Sequence, residues 1–208
     1  TYTVFKRTGR RFGYLHPNSI FAHVGSVLTT DKNILNMMAY LNSQMTSYLM
    51  LCQTPERNWN VGLLSRLPWD EDLEDEEDLE EKIESMLGLK IGLRSRDPNS
   101  PLYIGPLALR LAREQNKPFW NHSHSSLLEK FEPPTIDSVS SDKTLQELFE
   151  NAKSSESEIK SELNRKTEDI DNLIFDHFDI SEELRETITK EIELRTIEKN
   201  PGEIYDIE

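Results

Sequence analysis

The residues best suited to chemistry in this chain are basic, and they cluster near its start. Lys and Arg side chains neutralise phosphates and Arg can bind guanine through two hydrogen bonds, whereas Asn and Gln can pair with adenine. Residues 6–19 therefore predict nucleic-acid contacts, with the charged side chains on phosphates or in a groove and the others near base edges: Lys6, Arg7, Arg10, Arg11, His16, Asn18 and Ser19. The alternative is that each of these side chains is solvated surface.

Charge is divided unevenly along the chain. The formal net charge is −14, yet residues 1–68 contain seven basic and two acidic residues, a net of +5, so the remainder carries −19. Such asymmetry is typical of a nucleic-acid-facing part joined to a solvating acidic part. A coincidence of surface charge is the alternative.

Composition bounds the class of protein. The chain has 208 residues, of which 36% are hydrophobic and 30% charged, which predicts a modest core with much solvated helix. The single cysteine, Cys52, excludes an intrachain disulfide, and its apolar neighbours predict a buried, inert thiol. No apolar stretch approaches the ~20 residues of a membrane span, and the start has no basic-then-apolar leader. We therefore expect a cytoplasmic protein without a membrane partner.

The N-terminal part is predicted to contain strands. "TYTVF", "RRFGYL" and "SVLTT" combine β-branched and aromatic residues between turn-forming residues. One helix follows, N-capped by Asp31 and continuing to Cys52, because its apolar residues recur at spacings of three and four. "NWNVGLLSRLPW", at residues 58–69, is predicted to return as a strand that Pro68 stops. Residues 1–69 are thus expected to form a small strand-containing recognition subdomain, itself incomplete.

The middle of the chain is predicted to be helix and loop. "DEDLEDEEDLEEKIESMLGL" has the pattern of a helix whose acids crowd the first turns, where the helix dipole favours them. One stripe of this helix is predicted to contain Leu73, Glu76, Leu79, Ile83, Met86 and Leu87. A metal site is the alternative for these carboxylates, but calcium-loop spacing is missing. His122 and His124 likewise lack an evident third ligand. Residues 70–134 form this helix and loop segment, and residues 135–143 have the composition of a linker.

A long coiled-coil-like helix is predicted from Thr144 to about Phe178, because neither proline nor glycine interrupts it. Alternate steps of four and three mark an apolar seam with three polar interruptions: Leu145, Phe149, Ala152, Glu156, Ile159, Leu163, Lys166, Ile170, Leu173 and His177. The seam fits either one arm of an antiparallel pair within the chain or a dimerising coiled coil. A last helix follows Asp179 or Ser181. Residues 144–208 are therefore a mainly helical C-terminal region, and the chain as a whole is expected to be α+β.

The order of several short motifs resembles the target-recognition region of adenine-specific DNA methyltransferases. The resemblance is to the methyltransferases of BREX phage-defence systems and to the large bifunctional type II restriction-modification enzymes. That family has a helix with Leu-Asn-Ser and Tyr-Leu, then a strand with Val-Gly and a Leu-Pro stop, here at Leu41, Asn42, Ser43, Tyr48, Leu49, Val61, Gly62, Leu67 and Pro68. The late "EDIDNLIFDHFDISEELRETI" is similar to the family's helix, acidic turn and helix ending.

The resemblance implies sequence-specific recognition of double-stranded DNA by part of an S-adenosylmethionine-dependent enzyme. The family's glycine-rich cofactor turn and its Asn/Asp-Pro-Pro-aromatic motif for the flipped adenine are missing here. We therefore expect no catalytic residue and no cofactor in this chain, which would be inactive alone. The remainder of the parent methyltransferase would supply S-adenosylmethionine and catalysis, and other defence-system subunits are further expected partners.

A protein-interaction module is the main rival interpretation. In it, the acidic half and the long seam bind another defence subunit, and the chain never touches DNA. An independent small enzyme is a third interpretation. DNA binding with steep salt dependence distinguishes the first interpretation from the second.

Overall fold

The computed structural model describes residues 12–13, 28, 30–53, 61–100, 103 and 144–198. These residues are mainly helical and contain no strand. Their helices are α1 (Ile34–Leu41), α2 (Gln44–Gln53), α3 (Val61–Leu64), a 3-10 helix (Glu71–Asp75), α4 (Glu77–Arg94), α5 (Leu145–His177) and α6 (Glu182–Glu198). The predicted α+β class, with its strand-containing N-terminal subdomain, is therefore wrong for the part of the chain that the structure describes. The segments "TYTVF", "RRFGYL" and "SVLTT" lie wholly or mostly outside it.

The predicted strand at residues 58–67 is a helix where it is described. Val61–Leu64 is α3, and two turn hydrogen bonds follow it, from the Arg66 N–H to the Leu63 carbonyl (3.1 Å) and from the Leu67 N–H to the Leu64 carbonyl (3.1 Å). The strand prediction was wrong because Leu63, Leu64 and Leu67 also fit helical spacing. Pro68 still ends the segment, as expected from its missing N–H.

The helix predicted from Asp31 to Cys52 is two helices. The N-cap of α1 is Asn33, whose side chain accepts hydrogen bonds from the backbone N–H groups of Leu35 (3.1 Å) and Asn36 (3.3 Å). Asn42 ends α1, and α2 begins two residues later. Cys52, predicted to be buried, is exposed. It lies in the last turn of α2, two residues beyond buried Met50 and so on another side of the helix.

The chain divides into two compact units whose boundaries fall inside α4 and α5. The first, here called the composite unit, comprises residues 1–80 and 169–208. In it α2 packs against α6, and α1 packs against the 3-10 helix. Apolar side chains from all these elements form its core: Leu35, Met38, Ala39, Tyr40, Leu41, Met45, Met50, Leu73, Leu79, Ile170, Ile174, Phe175 and Ile188.

The second unit comprises residues 81–168. Ile83, Met86 and Ile91 are buried apolar residues of α4 in this unit, and the first two lie on the predicted apolar stripe. A hydrogen bond of 3.3 Å joins the Arg96 guanidinium to the Ser155 hydroxyl. The domain boundaries proposed from the sequence stay predictions.

The extent of the long helix is confirmed, but its seam is not buried throughout. Ile159 and Ile170 are buried as expected. At the N-terminal end the side chains of Leu145 and Phe149 are 69% and 67% exposed, and Leu148 is buried instead. A heptad count assumes a partner along the whole helix, whereas the first turns of α5 pack on another side.

A Schellman motif ends α5 and sets the start of α6. The N–H of Ile180 donates to the Phe175 carbonyl (2.9 Å), and that of Asp179 donates to the Asp176 carbonyl (3.0 Å). Asp179 has a φ of 52°, the left-handed conformation that this motif requires. Arg185 on α6 also donates to the Ile180 carbonyl (2.8 Å), which connects the first turns of α6 to the end of α5.

None of the described helices is both long and apolar enough to cross a membrane.

Candidate functional site

The junction between α1 and α2 is formed by Leu41, Asn42, Ser43 and Gln44, and is called the LNSQ junction here. Asn42, Ser43 and Gln44 all make hydrogen bonds to other described residues of the composite unit. The Asn42 N–H donates to the carbonyls of Met38 (3.1 Å) and Ala39 (3.2 Å), which closes the last turn of α1. The Ser43 hydroxyl donates to the Tyr40 carbonyl (2.7 Å). The break in the helix is therefore built by local hydrogen bonds.

Asn42 also binds the backbone of a residue that is distant in sequence. The Phe12 N–H donates to Asn42 Oδ1 (2.9 Å), and Asn42 Nδ2 donates to the Phe12 carbonyl (3.0 Å). The same Nδ2 donates to the Met38 carbonyl (2.9 Å). One buried amide thus pairs with both backbone polar groups of Phe12, which directly follows the predicted contact residues Arg10 and Arg11 in the sequence.

The first turn of α2 is capped from two directions. Ser43 Oγ accepts a hydrogen bond from the Thr46 N–H (3.1 Å), the usual local cap. Asp171 on α5 accepts one from the Gln44 N–H through Oδ1 (2.9 Å), and its side chain is almost fully buried. The Thr189 hydroxyl on α6 donates to Gln44 Oε1 (2.8 Å). A carboxylate at a helix N-terminus is stabilised by the helix dipole, so Asp171 ties α5 firmly to α2.

Tyr40 is the centre of an aromatic cluster beneath the junction. Its hydroxyl donates to the Pro68 carbonyl, and its ring meets those of Trp69 (centroids 5.6 Å apart, edge to face) and Phe178 (5.9 Å). Burial raises the pKa of the Tyr40 hydroxyl to about 12. The hydroxyl therefore stays protonated at neutral pH, as a donor to Pro68 must.

Alkaline pH should weaken the composite unit through Tyr40. An unfolded tyrosine ionises near pH 10, whereas the folded one ionises at about 12. Its contribution is fully present below pH 10 and is lost as the pH rises to 12, a fall of roughly 2–3 kcal/mol. Denaturant titrations between pH 9 and pH 12, at about half-unit intervals, should show this slope in the wild type. Tyr40→Phe should flatten it, and an unchanged slope in that variant would contradict the assignment.

An ion pair and a histidine–carboxylate contact hold the acidic segment that follows Pro68. His177 Nε2 at the end of α5 lies 3.0 Å from Asp70 Oδ2. The Asp72 N–H, and then His177, lower the pKa of the Asp70 carboxyl. Lys32 binds Glu74 at 2.9 Å, which raises the pKa of the lysine. One basic residue of the N-terminal part is thus paired with an acid within the composite unit.

Asn36 joins α1 to the same acidic segment. Its Nδ2 donates to the carbonyls of Leu73 (2.9 Å), Glu74 (3.3 Å) and Glu76 (3.0 Å), and the side chain is fully buried. These carbonyls lie in and just after the 3-10 helix, before α4 begins. Asn36 therefore holds the acidic segment against α1.

All seven DNA-contact candidates lie outside the described residues: Lys6, Arg7, Arg10, Arg11, His16, Asn18 and Ser19. The structure gives long-range hydrogen-bond partners to three other buried residues, to which the sequence patterns assigned no role: Asn36, Asn42 and Asp171. The sequence indicates such buried partners only through residue type. A polar residue inside an apolar run, as in "NILNMMAYLN" or "EDIDNLIF", is expected to have a specific buried partner.

In the part of the chain with described coordinates, no three His, Cys, Asp or Glu side chains come together as a metal site. Comparisons with protein families, curated proteins and solved structures find no match to this chain.

Proposed function

We propose that this chain is the sequence-specific DNA-recognition portion of an S-adenosylmethionine-dependent, adenine-specific DNA methyltransferase of phage defence or restriction-modification. The N-terminal basic residues contact duplex DNA, while the remainder of the parent enzyme binds the cofactor and transfers the methyl group. Such a chain acts in the cytoplasm, where its DNA substrate is, and is inactive alone.

The observation that supports this proposal is the meeting of the motifs that carry the resemblance. The LNSQ junction and the late "EDIDNLIFDHFDI" segment are separated by more than a hundred residues, yet Asp171 caps Gln44 at 2.9 Å. Tyr40, beside the junction, contacts both Pro68 and Phe178. Motifs that are scattered along a sequence by chance have no reason to share one polar network, whereas motifs of one module do.

Charge distribution agrees with the same role. Two of the acids after Pro68 have basic partners within the composite unit: Lys32 binds Glu74, and His177 Nε2 contacts Asp70. Phosphate attraction acts over a Debye length of about 8–10 Å, so a local basic patch can bind DNA despite a net charge of −14. The acidic helices must then face away from the duplex, because repulsion would otherwise cancel the attraction.

Reversing two arginines tests the proposal. Arg10→Glu with Arg11→Glu should weaken duplex binding by the 208-residue chain at least tenfold at low salt. It should also make the slope of log affinity against log salt shallower by roughly 1.8, or about 0.9 for each lost phosphate contact. Fluorescence anisotropy with labelled duplex measures both quantities.

The matched control reverses Lys143 and Lys153, which lie in the acidic part of the chain and give the same change in net charge. It should leave affinity and salt slope nearly unchanged. Equal effects of the two double variants would mean that only net charge matters, and no effect of the arginine pair would exclude the DNA-recognition role.

The interaction module is favoured by one specific observation, the exposed Leu145 and Phe149 one turn apart on α5. Large apolar side chains that share a helix face are typical of protein contacts. In this second candidate function the acidic helical half binds another defence subunit. Leu145→Ser with Phe149→Ser should then abolish capture of that subunit while leaving DNA affinity unchanged.

A further inference from the structure

We draw no further inference here: the strongest candidate, the apolar patch of Leu145 and Phe149 on the first turns of α5, is an exposed helix face, and nothing in the part of the chain that the structure describes shows what covers it.

Discussion

Asn36→Asp is expected to lower the free energy of unfolding of the composite unit by about 3–5 kcal/mol, because it leaves a buried charge without a compensating partner. The substitution keeps the size of the side chain but replaces the Nδ2 donor with an oxygen. That oxygen would face the carbonyls of Leu73, Glu74 and Glu76, which Nδ2 now binds at 2.9–3.3 Å. The asparagine is 0% exposed, so water cannot take the place of the lost donor.

The free energy of unfolding of Asn36→Asp should depend on pH. Burial and the facing carbonyls raise the pKa of the introduced carboxyl, so protonation restores one donor as the pH falls. Denaturant titrations at pH 5 and 8 should therefore show a smaller loss at the lower pH. Asn172→Asp, the same substitution at an exposed site of the composite unit, should stay within about 0.5 kcal/mol of wild type. Equal losses of stability in Asn36→Asp and Asn172→Asp would contradict the hydrogen bonds assigned to Asn36.

Asp171→Ala is expected to cost about 2–4 kcal/mol. The carboxylate accepts the Gln44 N–H at 2.9 Å and is 3% exposed, so its removal leaves a buried N–H of α2 without this acceptor. The favourable interaction with the dipole of α2 is lost as well. Asp171→Asn keeps an acceptor oxygen but no charge and should cost roughly half as much.

Hydrogen exchange distinguishes this cap from a general loss of packing. In Asp171→Ala the amides in the first turn of α2, beginning at Gln44, should lose protection before those of α1. Asn172→Ala alters the neighbouring exposed residue and should change neither stability nor exchange by much. Uniform loss of protection over α1 and α2 would show that Asp171 does not act as a cap.

The elements that could be predicted are those whose cause is local. α5 was expected from the uninterrupted run after Thr144, and it extends over Leu145–His177. The apolar stripe of α4 was expected from its spacing, and Leu79, Ile83 and Met86 are indeed buried. In both cases the pattern within one segment is sufficient.

Three predictions within residues 31–67 were wrong. The break between α1 and α2 was not predicted, because the local hydrogen bonds of Asn42 and Ser43 that close it do not show in the apolar spacing. Asp31 was predicted to be the N-cap, but Asn33 caps α1 and also donates a hydrogen bond to Glu80 (2.7 Å). The strand prediction at residues 58–67 failed because a short apolar run fits both periods.

The polar network around the LNSQ junction shows the same limit. A seam drawn through Ile170 and Leu173 treats Asp171 as a flanking residue. Its partner, Gln44, lies 127 residues away in sequence. Such a pairing leaves no trace in periodicity, and the sequence patterns assigned the two segments to separate regions, residues 1–69 and 144–208.

Duplex affinity as a function of salt tests most directly whether the basic N-terminal part of this chain binds DNA. The 208-residue chain is titrated against a labelled duplex of about 30 base pairs at several concentrations between roughly 50 and 300 mM NaCl. We expect measurable binding at low salt and a linear fall of log affinity with log salt, with a slope of several units. Binding that is absent at 50 mM, or that does not change with salt, would contradict it.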